Sequence, residues 1–166
     1  ALRMARQAGV PAQNMLLGDA EGRIAWRLVG RIPVRVGGCD PKRPLLPLQG
    51  CDWAGWHPAE APLQPELVDP ASGRLWSANA RIADGEMLAL IGDAGYALGA
   101  RQKQIADALM ATAPIDEPAL LALQLDDRAL FLERWNRLLR DTVAPMSADQ
   151  WRDIAEAAAD WQGRAS

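Results

Sequence analysis

The chain has 166 residues, enough for one domain with a core of its own, and its 49% hydrophobic and 23% charged residues are the balance of a globular protein rather than a disordered one. A net charge of −3 and a pI near 5.2 provide no general basic footprint for a nucleic-acid partner. No apolar run approaches the roughly 18 residues of a membrane span, and the opening residues do not read as a signal peptide.

In chain order, residues 1 to 9 form a short helix with Leu2, Ala5 and Ala8 on one side, stopped by Gly9 and Pro11. Met15 to Leu17 and Ile24 to Val29 read as two strands around Asp19-Ala20-Glu21-Gly22, a hairpin signal. Arg31 to Val36 is a third extended piece, and Pro33 keeps it off a central strand position. Arg27, Arg31 and Arg35 read as a solvated strand face rather than a basic patch. From Gly37 to Pro70 the prolines at 41, 44, 47, 58, 62, 65 and 70 argue against regular helix or sheet, and Trp53 and Trp56 supply the apolar groups to pin such a loop. Cys39 and Cys51, 12 apart, either pair in an oxidising compartment or stay as two thiols. With His57 as the single histidine, they have no zinc-site company. His57 itself has no serine, cysteine or acid placed to complete a triad and reads as a surface or hydrogen-bonded residue.

Leu75-Trp76-Ser77-Ala78 reads as a short buried strand that ends at Asn79, and a loop then runs through Asp84-Gly85. Met87 to Ile91 is an apolar run of ambiguous type. Gly92-Asp93-Ala94-Gly95 lacks the phosphate-loop pattern, and Asp84 and Asp93 read as turn residues. From Ala97 onward the pattern is helical. Leu98, Ile105, Ala108 and Leu109 define the stripe of a first helix, and Asp116-Glu117-Pro118 opens a second with acids at its positive end. Ala129, Leu132, Trp135, Leu138 and Leu139 mark a third. Ser147-Ala148-Asp149-Gln150 has the spacing of a capping box for a fourth that carries Trp151, Ile154, Ala155, Ala158 and Trp161 on one face. Trp135 and Trp151 sit on helical stripes and are expected in the core. The fold class is therefore α+β, with a strand-and-loop portion over 1–96 and a helical portion over 97–166.

Two polar residues stand out. Arg101 lies on the apolar stripe, three residues after Leu98 and four before Ile105, and a guanidinium there needs a fixed partner. On spacing alone that partner is a salt bridge, or the stem snorkels to the surface. Asn79 at a strand end is ordinarily turn chemistry, and less often an amide donor aimed at a ligand, as in an oxyanion hole.

The order of short motifs resembles that of the penicillin acylase family, the N-terminal-nucleophile amidohydrolases cut from one precursor into two chains. The resemblance is carried by Gln13-Asn14, Gly18-Asp19 with Gly22-Arg23-Ile24, Gly30 to Arg35, and Trp53-Ala54-Gly55. It continues through Asp69-Pro70 with Ser72-Gly73, Ala78-Asn79-Ala80-Arg81, Arg101 with Ile105, and Gln124-Leu125-Asp126. In such enzymes an N-terminal serine attacks the amide carbonyl, its own α-amino group serves as base, and an asparagine helps form the oxyanion hole. Asn79 matches that asparagine, and Arg101 matches an arginine that supports it and the reacting centre. The family often carries a further arginine just before the matching isoleucine, where this chain has Gln104.

The resemblance implies part of an αββα-type fold and a parent that cleaves an amide to a carboxylic acid and an amine, of the penicillin or acyl-homoserine-lactone acylase type. No serine occurs before Ser72, so the chain is expected to be a later piece of the large subunit and inactive alone. The implied partners are the small subunit, the serine-led part of the large subunit and a small-molecule amide, with no nucleic acid or membrane. The implied location is periplasmic or secreted. No cofactor is implied. Some family members bind calcium through carboxylates, and no such ligand set is matched here. The competing reading is a non-catalytic interaction module with a proline-rich arm.

Overall fold

The computed structural model describes residues 1–38, 40, 50–58, 61, 63–92, 95–146 and 149–165, apart from the side chain of Gln150. Its described elements run α1 (Leu2–Ala5), β1 (Gln13–Gly18), β2 (Ile24–Val29), β3 (Pro33–Val36), β4 (Asp52–Trp56), β5 (Glu66–Val68), α2 (Gly85–Ile91), α3 (Ala100–Ala111), α4 (Glu117–Gln124), α5 (Leu130–Val143) and α6 (Arg152–Asp160). After the short α1, small antiparallel sheets come first and the other helices follow, so the α+β class holds. Two units divide within α3, Ala1–Gln102 and Lys103–Ser166.

In the first unit, β1 and β2 form the expected hairpin, in register from Gln13 opposite Val29 to Gly18 opposite Ile24. Asp19 closes the turn, its Oδ1 accepting from the backbone N–H of Glu21 at 3.1 Å and of Arg23 at 2.9 Å, while Gly22 takes φ +80°. β5 adds to the other edge of β2, giving the order β1-β2-β5. Its end is fastened by Asp69, whose N–H donates to the Ile24 carbonyl at 2.9 Å while its Oδ1 accepts from the Ile24 N–H at 2.9 Å. These two bonds offset the cost of holding Asp69 at φ +44°. Central β2 is covered on both faces, which is why Ala25, Trp26, Arg27 and Leu28 are all buried and no polar alternation survives.

Three expectations for this region are corrected. The stretch from Gly37 to Pro70 is not free of regular structure. Prolines bound its strands, with Asp52–Trp56 before Pro58 and Glu66–Val68 between Pro65 and Pro70. Among the described residues β3 pairs with β4 alone, which puts Pro33 in an edge strand, as its missing N–H requires. Trp53 and Trp56 do not pin the segment by burial. They remain 55% and 46% exposed and pack edge to face on each other, with centroids 5.0 Å apart. Gly37 could not carry a side chain: at φ +95° its Cβ would collide with the Gly50 carbonyl oxygen. Leu75 to Ala78 is half-buried but not a strand. A strand needs a ladder, and the single bridge here joins Ala80 to Ala97.

The ambiguous run 87–91 is helical, as α2, with Asp84 at its N-cap position and Leu88 buried. Cys39, Asp93, Ser147, Ala148 and the side chain of Gln150 lie outside the described residues, as do 41–49, 59–60 and 62 of the proline-rich segment, so the cysteine pairing and the capping box do too.

In the second unit, α4 is opened as its sequence predicts. Asp116 Oδ1 accepts from the Ala119 N–H at 2.9 Å, with Pro118 in the first turn. α6 follows a 3-10 turn over Asp149–Trp151. Among the described residues of this unit the buried ones are few, namely Leu109, Val143 and Ala158. Trp135, expected in the core, is 48% exposed and lies 4.9 Å from the Arg134 guanidinium, and Leu132, Leu138, Leu139 and Ile154 are exposed with it. The apolar stripe of α5 is real, but its period identifies a face that favours cover and says nothing about what supplies that cover.

Candidate functional site

The segment Asn79–Arg81 is held from the stretch Ala97–Gln102 at several points, all within the first unit. The Ala97 N–H donates to the Asn79 carbonyl at 2.8 Å, Ala80, which is buried, bridges to Ala97 in parallel, and a Cβ added at Gly99 would sit 3.9 Å from the Cβ of Ala80. The Arg101 guanidinium then donates through Nη2 to Asn79 Oδ1. Gln102 Nε2 donates to the Arg81 carbonyl at 3.3 Å.

Arg101 therefore has the fixed partner its sequence demanded, though not for the reason given. Arg101 and Asn79 are both exposed, and Leu98, which was to begin the buried stripe, is 71% exposed and precedes the helix. The pairing settles how the asparagine amide points. A guanidinium only donates, so the oxygen of the amide must face Arg101. The Nδ2 hydrogens are thus turned away from it. A positive charge on Oδ1 also draws electron density from the amide nitrogen and makes Nδ2–H a stronger donor.

Gln104, where the family often has arginine, belongs to a separate cluster in the second unit. Its Nε2 donates to Asp126 Oδ2 and to the Arg128 carbonyl, both at 2.9 Å, while Arg128 grips Asp126 through Nε at 2.7 Å and Nη2 at 2.8 Å. The Arg128 bonds first, and the Gln104 bond next, hold the Asp126 carboxyl far below its ordinary value of 3.8. A depressed carboxylate stabilises the fold fully above its unfolded pKa and loses that contribution as pH falls below 3.8 toward the lower folded value. Asp126→Asn should accordingly melt below wild type near neutrality. The gap should close as melts are repeated from about pH 5 down to about pH 2, and a gap independent of pH would refute the assignment.

Of the three arginines expected on a solvated face, Arg31 and Arg35 are exposed, but Arg27 belongs to a buried charge cluster. Arg27 is 2% exposed. Its Nη1 pairs with Glu66 Oε2 and its Nη2 donates to Gln64 Oε1 at 2.7 Å, while Arg6 Nη2 reaches Glu66 Oε1 at 3.0 Å. Burial lowers the Arg27 pKa and the bond to Glu66 opposes this; the guanidinium remains charged at neutral pH. The signal was cross-strand register, which places Arg27 opposite Glu66 and is not visible until β5 is known to be a strand. Neither the Gln102 nor the Arg128 link had any sequence signal beyond residue type. His57 is half-buried and its N–H donates to the Ile32 carbonyl at 2.8 Å. Among the described residues, no group of three His, Cys, Asp or Glu side chains is placed to hold a metal ion, and no helix is long and apolar enough to cross a membrane.

No curated protein matches the chain. The motif order that pairs Asn79 with Arg101 is accompanied by a match to the family model for penicillin amidase over residues 1–166, the whole chain, and the chain belongs to the penicillin amidase family.

Proposed function

We propose that this chain is the oxyanion-stabilising segment of an acylase that hydrolyses small-molecule amides to a carboxylic acid and an amine. Family membership implies hydrolase activity for the full protein. The observation that carries the finer reading is the Arg101 bond to Asn79 Oδ1, which leaves Nδ2–H as the outward donor. In the proposed reaction a chain-leading serine, supplied by a segment other than this one, adds through its hydroxyl oxygen to the amide carbonyl. Its α-amino group takes the hydroxyl proton and passes it to the departing amine. Asn79 Nδ2 donates to the carbonyl oxygen as it becomes an oxyanion, and Arg101 holds the amide in place. Water then releases the acid by the same route.

The chemistry needs no cofactor, and the partners are the small subunit, the serine-led part of the large subunit and an amide of the penicillin or acyl-homoserine-lactone type. The exposed apolar faces of α5 and of the β3–β4 ribbon fit a segment that other parts of a precursor cover. By family likeness the enzyme works in the periplasm or outside the cell, after cleavage of an inactive precursor.

The test is the N-terminal residue and intact mass of each chain in the parent protein, expressed from its full gene. A large chain led by serine and paired with a smaller one is the expected result. A native protein with no serine-led chain would make hydrolysis by this mechanism untenable, and would favour the interaction module.

A further inference from the structure

We infer that the small cavity beside Arg27 is a binding site for a monovalent anion of chloride size, held by the Arg27 Nε–H. The site is independent of the role proposed for Asn79. The cavity lies within the first unit and measures about 30 Å³. That is room for one or two water-sized occupants, far below the roughly 300 Å³ at which small-molecule pockets begin. Arg27 and Leu28 of β2 line it, together with Arg6, Arg31 and Pro65. Arg27 presents its Nη1 to Glu66 Oε2 and its Nη2 to Gln64 Oε1, whereas its Nε is buried with no hydrogen-bond partner among the described residues. The residue is 2% exposed, so the group has no access to bulk water, and an unmet donor on a buried charge is costly. Nε–H is therefore what Arg27 has left to offer an occupant of the cavity it lines. The Nε of Arg6 is in the same condition.

Charge selects an anion over water. Glu66 engages one oxygen with each arginine, so two guanidinium groups meet one negative charge. Arg31 adds a further positive charge to the wall, and among the described lining residues there is no Asp or Glu. Leu28 and Pro65, both buried, keep the local dielectric low and strengthen the attraction. A water accepting from Nε would still have to place its own two hydrogens. The carbonyls of Ile32, Pro58, Ala61 and Pro65 on the same wall already accept from protein donors. An anion accepts and needs nothing in return. It bonds Nε alone and does not replace Glu66 at Nη1.

Two measurements on the complete protein, expressed from its full gene, test this. Crystals grown with sodium bromide in place of chloride should show an anomalous scattering peak within hydrogen-bond reach of Arg27 Nε. In solution the melting temperature should rise and level off as chloride replaces gluconate, an anion too large for the cavity, at constant ionic strength. At a chloride concentration ten times the dissociation constant the unfolding equilibrium constant should fall by about tenfold. Arg31→Gln, at an exposed position that leaves the buried cluster intact, should weaken the apparent chloride affinity by about three- to tenfold by removing one charge from the wall. A bromide-free cavity in the crystal overturns the inference. So does a bromide peak with no chloride dependence of melting, which would mean binding at crystal concentration only. A chloride effect of the same size in Arg31→Gln overturns it too, since the ion would then act elsewhere on the protein.

Discussion

Asn79→Ala in the complete enzyme is expected to lower kcat by about 100- to 1000-fold, the usual loss when one oxyanion-hole donor is removed. The melting temperature should hardly change. Asn79 is exposed, so truncation opens no cavity, and the backbone bond from Ala97 to the Asn79 carbonyl survives the change. Asn79→Asp is the sharper variant. It keeps an acceptor for Arg101 and strengthens that pairing, yet replaces the Nδ2 donor with a second oxygen that would face the developing oxyanion. A loss at least as large as that of Asn79→Ala, in a protein no less stable, would show that the donor and not the contact to Arg101 matters. Arg101→Ala should cost less than either, since it removes the orientation and polarisation of the amide but leaves the donor in place. Near-normal turnover in Asn79→Ala, measured on a folded and fully processed enzyme, would refute the oxyanion role outright.

What could be read from sequence follows from which forces act locally. The β1–β2 hairpin and the Asp116 cap were legible because both depend on residues within a few positions of one another, where side-chain oxygens meet backbone N–H groups. β4 and β5 were missed because proline density describes a whole stretch, whereas a strand needs only a short interval between prolines and a neighbour to pair with. Arg27 was misplaced for a related reason. Alternation along β2 says which residues share a face, but a central strand covered on both sides buries both sets. Arg101 is the reverse case. Arg101 has the partner that a stripe arginine needs but not the burial, since helix α3 begins only at Ala100 and the guanidinium stays exposed. The pair itself spans 22 residues, and only the motif order made it visible.

The largest stability effect should come from the charge cluster beneath β2. Glu66 is the single carboxylate between two guanidinium groups, one of them on a residue 2% exposed, so Glu66→Ala leaves Arg27 buried with only the Gln64 amide to accept from it. Removing one partner of a buried ion pair costs about 3–5 kcal/mol, much of it the penalty of a charge stranded out of water. Arg27→Leu should cost less, because Glu66 is then still paired with Arg6 and the leucine is apolar where the stem was buried. The double variant Arg27→Leu with Glu66→Leu should recover a large part of the loss, as isosteric apolar replacement of buried pairs often does. Urea unfolding of the three variants at unchanged slope reads these differences directly. A Glu66→Ala loss under about 1 kcal/mol would mean that water reaches the cluster and that Arg27 is not stranded. Turnover per folded molecule should be the same in all of them, because the cluster supports the sheet and makes no contact with Asn79 or Arg101.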